Sequence, residues 1–130
     1  MGEWTLLDYI EPNGRNPIRE WLDSLPPPDQ ARIDDRLLMM EAMPKWPEKW
    51  ASKYRGREEL YEFRIKGNKV QYRPLGTYWG KRQYVLLAGA VERNWKIPRT
   101  TLDVADRRLA RLRSGVASVK LHEFDRGDDE

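Results

Sequence analysis

The chain has 130 residues, of which 39% are hydrophobic, and this is typical of one folded domain rather than of a disordered chain. Cysteine is absent, which excludes disulfides and thiolate metal sites and leads us to expect a cytoplasmic protein. No apolar run approaches the roughly 18 residues of a membrane span, and the N-terminal sequence lacks the regions of a secretion signal, so we expect neither.

The net charge of +3 is unevenly distributed along the chain. Residues 1–52 carry six Lys or Arg against ten Asp or Glu, and residues 114–130 carry two against five. Residues 53–113 carry sixteen Lys or Arg against six Asp or Glu, a net charge of +10. This middle segment is a candidate anion-binding surface, with solvated charge on several faces as the alternative.

The first part of the chain predicts one strand and two helices. Aromatic and aliphatic residues dominate residues 4–10, as in a strand. Asn16 and Pro17 then provide a helix N-cap and a proline at the first helical position, and apolar residues recur with helical spacing over residues 18–25. Three prolines at 26–28 end this helix and open a second one, so we expect an αα-hairpin.

The middle of the chain predicts three strands. Residues 59–66 and 69–75 read as two strands of a hairpin that turns at Gly67-Asn68. Residues 84–90 are apolar on both faces, which is typical of a central strand. The intervening residues, rich in aromatic and basic side chains, predict a loop.

A last helix is expected to begin at Thr100 or Thr101 and to bury a face of Ala and Leu side chains. Residues 116–130 are expected to form an acidic, mobile tail outside a single domain of residues 1–115. The order β-α-α-β-β-β-α predicts an α+β domain: a mostly antiparallel sheet of about four strands, an N-terminal helical hairpin and a C-terminal helix.

The alternation of side chains along the hairpin predicts where two arginines lie. Apolar residues such as Phe63 and Tyr72 should face the helices, so Arg64 and Arg73 should share the opposite face with Glu62. Two forked guanidiniums on one rigid surface would make a phosphate clamp. The alternative is a cross-strand ion cluster in which Glu62 balances Arg64 or Arg73.

An ordered string of motifs gives the chain a family resemblance over residues 9–113. The motifs are YRGREELYEFRI, NKVQYRPLG, YVLLAGAVERNWKIP and ADRRLARL. With them the chain resembles the phage-derived branch of the RelE/HigB-like toxin superfamily. The resemblance implies a RelE-like fold and the toxin of a type II toxin–antitoxin pair, which cleaves mRNA on the ribosome and is bound by a cognate antitoxin. It is also compatible with a homodimer.

The resemblance further implies which residues act. Arg64 and Arg73 occupy basic positions of the sheet, and Arg93 lies where related proteins often carry a lysine. Glu92, beside it, departs from that pattern by adding a negative charge. Lys96 precedes Ile97-Pro98, which is similar to the closing K-x-P of the family.

Cleavage of this kind needs the 2′-hydroxyl to lose a proton and cations to hold the charge that builds on phosphorus. We expect Arg64, Arg73 and Arg93 to supply the cations and Glu62 to accept the proton. His122 lies in the expected tail, and we do not expect it to have a catalytic role. We expect neither a metal ion nor another cofactor, because the sequence lacks His, Cys, Asp or Glu residues at the spacing of metal ligands. The expected RNA-binding residues are Lys53, Arg55, Lys69, Gln71, Tyr78, Lys81, Arg82, Trp95 and Lys96. The competing hypotheses are a non-catalytic nucleic-acid-binding protein and an interaction module that docks an acidic partner.

Overall fold

The computed structural model describes residues 3–124. Within this range the chain forms three helices and eight strands. Their bounds are β1 Thr5–Ile10, α1 Pro17–Asp23, α2 Pro27–Ala42, β2 Ala51–Lys53, β3 Tyr61–Phe63, β4 Ile65–Lys66, β5 Gln71–Tyr72, β6 Leu75–Tyr78, β7 Gln83–Ala88, α3 Arg99–Ser114 and β8 Ser118–Leu121. None of the helices between residues 3 and 124 is long and apolar enough to cross a membrane.

Six of these strands form the main sheet, in the order β2-β3-β6-β7-β1-β8. Neighbouring strands are antiparallel except for β1 and β7, which are parallel. Strands β4 and β5 form a separate small hairpin. The expected α+β class and the mostly antiparallel sheet are therefore confirmed, but the main sheet has more strands than predicted.

The strand predicted at residues 59–66 is broken at Arg64. Its first half, β3, pairs with β2 and β6, whereas its second half, β4, pairs with β5. The amide of Arg64 donates to the carbonyl of Trp50 (2.8 Å), and Arg36 of α2 donates to the carbonyl of Arg64 (3.0 Å). These bonds fix the backbone where the chain leaves the main sheet.

Part of the expected mobile tail, residues 116–130, forms a strand. Ser118–Leu121 form the edge strand β8, which pairs antiparallel with β1. The amide of His122 then donates to the carbonyl of Leu6 (2.9 Å) and extends the pairing by one residue. Most of the acidic segment that ends the chain, residues 125–130, lies outside the described residues.

Helices cover both faces of the main sheet. On one face, α1 and α2 pack against Leu6, Phe63, Tyr84 and Leu86. On the other face, α3 packs against side chains that include Leu60, Leu75 and Val85. The sequence placed all the helices on the first face, and this is wrong for α3, which packs on this second face over β6 and β7. The candidate functional residues lie at the margin of this face, near β2 and β3.

Candidate functional site

Four charged side chains form a compact ion cluster at the margin of the main sheet, here called the Glu62 cluster. Glu62 Oε1 accepts from Nε of Arg73 (2.8 Å), and Glu62 Oε2 accepts from Nη2 of Arg64 (3.1 Å). Nη1 of Arg73 also lies 3.3 Å from Oε1 of Glu92. Glu62 is 3% exposed, so its charge is balanced by the two guanidiniums rather than by water. The two arginines and two carboxylates together carry no net charge.

Of the two interpretations of Arg64 and Arg73, the structure shows the ion cluster with Glu62 and not the phosphate clamp. Arg64 and Arg73 do lie together on one face, but they form the cross-strand ion cluster and not a clamp of two unpaired guanidiniums. Arg73 is the more buried, with 12% of its side chain exposed against 33% for Arg64. Arg64 therefore is the cluster's member best placed to meet a ligand.

The expected role of Glu62 as a proton acceptor does not fit its surroundings. Each of its oxygens already accepts from a guanidinium, and its side chain is buried. What Glu62 can do is orient Arg64 and Arg73, since a carboxylate that accepts from two forks fixes both of them.

A depression beside the cluster, here called the β2 depression, brings several predicted residues together. Lys53 and Arg55 line it with Arg64 and Arg73, and Glu48, Ser52, Tyr54 and Glu62 complete its wall. Lys53 is the last residue of β2, which is the edge strand, so its side chain is open to solvent. Lys53 and Arg55 make no ion pair with any residue between 3 and 124, and both are exposed. They are cations available to an anionic ligand.

A second depression, here called the hairpin depression, lies on the other side of the cluster. Its wall contains the expected residues Lys69, Gln71 and Trp95, and also Glu92. The remaining lining residues are Lys66, Val70 and Asn94. Because Arg73 lines the β2 depression and Glu92 lines this one, the Glu62 cluster is the wall between them.

Two other predicted residues lie on the turn that follows β7. The amide of Arg93 donates to the carbonyl of Lys96 (2.8 Å), and the amide of Lys96 donates back (2.9 Å). Both side chains are exposed, but neither lines the β2 depression or the hairpin depression. The geometry therefore does not bring Arg93 to the predicted catalytic group.

Tyr78, Lys81 and Arg82 are not part of this site. They lie at the turn between β6 and β7, and none of them lines either depression. Arg82 donates to the carbonyl of Pro44 (3.2 Å) and pairs with Glu3 (3.6 Å). Tyr78 packs against neighbouring aromatic rings, and its partial burial raises its pKa. Tyr78 and Arg82 therefore have a structural explanation, whereas Lys81 is exposed and lies outside both depressions.

Tyr72 was expected to lie in the core, and this is confirmed because its side chain is buried. Its hydroxyl donates to Oδ2 of Asp29 (2.5 Å), and Oδ1 of Asp29 accepts from the amide of Asn68 (3.0 Å). Burial and the Asp29 carboxylate raise the pKa of Tyr72 to about 12. Tyr72 thus fastens the small hairpin to α2 and is not a proton donor for a ligand.

His122 has a structural role that the sequence did not reveal. Its buried ring lies between Asp8 of β1, 2.8 Å from Nδ1, and Asp34 of α2, 3.3 Å from Nε2. Burial lowers the pKa of His122, but the hydrogen bonds and charges of Asp34 and Asp8 outweigh it and raise the pKa to about 9. Asn16, the N-cap of α1, donates to the other oxygen of Asp8 (2.9 Å). A charged His122 therefore links β8 to β1 and both N-terminal helices. No group of three or more His, Asp or Glu side chains in the described part of the chain could hold a metal ion.

The protein thus has an α+β fold, and unpaired cations line two depressions beside a buried ion cluster. A family model described as "Phage derived protein Gp49-like (DUF891)" matches residues 20–110. The chain belongs to this family, and the matched residues include the Glu62 cluster and both depressions. No curated protein matches the chain significantly. The phage-derived part of the resemblance is thereby confirmed, whereas membership of the RelE/HigB-like superfamily stays a prediction.

Proposed function

We propose that this protein is the toxin of a type II toxin–antitoxin pair of RelE-like fold, and that it acts on RNA through the β2 depression. The Gp49-like, phage-derived family is consistent with such a toxin. The observation that carries the proposal is the grouping of Lys53, Arg55 and Arg64 in one open depression. Lys53 and Arg55 have no carboxylate partner among residues 3–124. A chain of phosphates is the ligand that would neutralise them.

Arg64 is suited to hold a phosphate because it is already oriented. A guanidinium has five N–H donors, and Arg64 uses two nitrogens to bond Glu62 and Ser52 (3.0 Å to Oγ). Its other donors remain for a ligand in the depression. Since Glu62 and Ser52 fix the fork in advance, little side-chain entropy is lost on binding.

The finer proposal is that the bound message is cleaved on the ribosome without a metal ion. The 2′-oxygen forms a bond to the adjacent phosphorus, and the bond from phosphorus to the 5′-oxygen breaks. The 2′-proton passes to a base, and the 5′-oxygen gains a proton from solvent water. Arg64 would stabilise the charge on phosphorus. Because Glu62 is engaged by both arginines, we assign the proton acceptor to the ribosome, which also positions the message.

A second candidate function is favoured by the electrical neutrality of the Glu62 cluster. The charges of Arg64 and Arg73 are balanced by Glu62 and Glu92, which reduces the attraction that this cluster exerts on a phosphorane. In this alternative the protein binds RNA through Lys53 and Arg55 and leaves it intact. The two functions share the binding surface and differ in the fate of the message.

Replacing Lys53 and Arg55 together with alanine is expected to weaken RNA binding at least tenfold at low salt. Each phosphate contact that is lost should also make the slope of log K against log salt shallower, by about 0.7 for single-stranded RNA. Titration of a labelled single-stranded RNA at several salt concentrations measures both quantities. Lys120→Ala is the matched control, because Lys120 is also an exposed strand lysine but lies in β8, at the opposite edge of the main sheet. Equal losses in the two variants would contradict the assignment of the β2 depression.

The toxin assignment is tested by expression in a bacterial host. Induction of the wild-type chain should arrest growth, and co-expression of the small protein encoded beside it, the cognate antitoxin of this proposal, should restore growth. Lys53→Ala/Arg55→Ala should grow normally without that protein, while Lys120→Ala should arrest growth. Normal growth on induction of a folded wild-type chain would contradict the proposal.

A further inference from the structure

A two-residue turn after β7 holds a large aromatic ring out in solvent. Trp95 is 87% exposed, the highest value among the exposed large hydrophobic residues of the described chain. It lies in the turn closed by the two backbone bonds between Arg93 and Lys96. A lone, fully hydrated indole gains nothing from this position in the free protein, because its apolar surface stays in water.

The backbone of this turn is in a conformation that a bulky residue rarely adopts. Asn94 and Trp95 both have positive φ angles, of 50° and 68°, as the central residues of a type I′ turn do. Asparagine tolerates this region and glycine is the usual residue at the second position, whereas a tryptophan there is strained. Lys69, on the facing turn of the β4–β5 hairpin, also has a positive φ of 66°. Strained residues of this kind cluster at ligand sites.

Trp95 and Lys69, two residues with a strained backbone, both line the hairpin depression. The ring of Trp95 forms part of its wall, and Lys66 and Lys69 supply two exposed ammonium groups. Within residues 3–124, carboxylates that would pair with these lysines are lacking. The depression therefore combines an aromatic face with unpaired positive charge. Gln71 and Asn94 add amide groups that can donate and accept hydrogen bonds.

We propose that the hairpin depression is a nucleotide subsite, in which an unpaired base of single-stranded RNA stacks on Trp95 and its phosphate is held by Lys66 and Lys69. Every base has a π-face, so stacking on an exposed ring accepts any sequence, and the flanking cations supply the attraction to the backbone. The inference rests on the proposed function. It extends the RNA path from the β2 depression across the Glu62 cluster, where Arg73 lies 3.5 Å from the carbonyl of Trp95.

The stacking role is tested by comparing an RNA with a polyanion that has no bases. Trp95→Ala should bind a labelled single-stranded RNA of about ten nucleotides roughly 5- to 150-fold more weakly than wild type, the range that corresponds to the loss of one stacked base. Its affinity for heparin and its salt slope should stay within twofold of wild type, because no phosphate contact is lost. Trp95→Phe, which keeps a ring, should recover most of the RNA affinity.

Trp79→Ala is the matched control, since Trp79 is another exposed tryptophan next to a turn but lies outside the depression. Trp95→Gly adds a second readout: it should raise the melting temperature by relieving the strained φ while it weakens RNA binding as Trp95→Ala does.

The outcomes separate this inference from the proposed function. RNA binding by Trp95→Ala that equals wild type overturns the subsite and leaves the β2 depression untouched. An equal loss of affinity for RNA and heparin overturns base stacking as the cause. If the wild-type chain binds neither RNA nor heparin, the proposed function fails and the subsite fails with it.

Discussion

Replacing Glu62 with glutamine is expected to lower the free energy of unfolding by about 3–5 kcal/mol, the range for breaking a buried ion pair by removing one partner. Glutamine keeps the size of the side chain but removes the charge that balances Arg64 and Arg73. Its amide nitrogen can only donate, so one guanidinium would face another donor. Urea unfolding of the wild type and the variant measures the change.

Glu48→Gln is the matched control for this prediction. Glu48 also lines the β2 depression, but it is exposed and, among the described residues, lacks an ion pair. Its replacement should change the free energy of unfolding by no more than about 0.5 kcal/mol. If the two variants are equally stable, Glu62 does not hold the site together.

The same variant separates two roles of Glu62 in function. Glu62 orients Arg64, which favours RNA binding, but it also places a negative charge in the depression, and at low salt we expect the removal of that charge to be the larger effect. Folded Glu62→Gln protein should therefore bind RNA at least as tightly as wild type at low salt. Weaker binding in a folded variant would show that the orientation of Arg64 matters more than the charge.

Replacing His122 with alanine is also expected to cost about 3–5 kcal/mol of unfolding free energy. The imidazolium is the buried cation that Asp8 and Asp34 both face, and its removal also takes away the anchor of β8. Lys120→Ala, two residues earlier in the same strand, should change stability little because that side chain is exposed. A mild effect of His122→Ala would mean that β8 is held by its backbone pairing alone.

The raised pKa of His122 predicts the pH dependence of stability. The pKa is about 9 in the folded chain against 6.5 for an unperturbed histidine. Its contribution to stability is therefore fully present below pH 6.5 and is lost as the pH rises toward 9, amounting to about 3 kcal/mol. Urea unfolding at pH 6 and pH 9.5 should show this loss in the wild type, and His122→Ala should lack most of it. A wild-type stability that is constant across this window would contradict the charged state of His122.

Local signals in the sequence predicted those elements that are stabilised locally. Asn16 accepts from the amide of Arg19 (2.9 Å) at the start of α1, as its position before Pro17 indicated. Residues 84–90, which are apolar on both faces, lie largely in β7, an inner strand of the main sheet between β6 and β1. Alternation also placed Tyr72 in the core correctly.

The elements that the sequence did not predict depend on contacts between distant residues. Strand β8 is short and mostly exposed, and it exists because it pairs with β1 and because His122 lies between two carboxylates more than 80 positions away. The sequence predicted Arg64 within one continuous strand, but the strand ends there because the amide of Arg64 donates to the carbonyl of Trp50. Neither effect leaves a periodic signal in the sequence.

The sequence predicted that Glu62, Arg64 and Arg73 share one face, but it did not predict that their charges are paired. Alternation brings Glu62, Arg64 and Arg73 to one face, but it cannot tell whether the carboxylate is buried between the guanidiniums. In the folded chain each oxygen of the buried Glu62 accepts from one of the two guanidiniums, a contact that the alternation of side chains does not specify. The unpaired cations of the β2 depression are therefore Lys53 and Arg55, at the end of the edge strand, rather than the two central arginines.

The most direct measurement of the central claim is the mapping of mRNA 5′ ends in a bacterial host after induction of the wild-type chain, Arg64→Ala and Lys120→Ala. The proposed function predicts new ends within translated regions for the wild type and Lys120→Ala, and their loss for folded Arg64→Ala. Intact messages after induction of a wild-type chain that arrests growth and binds RNA would contradict cleavage and favour the non-catalytic alternative. New ends that persist in Arg64→Ala would contradict the site itself.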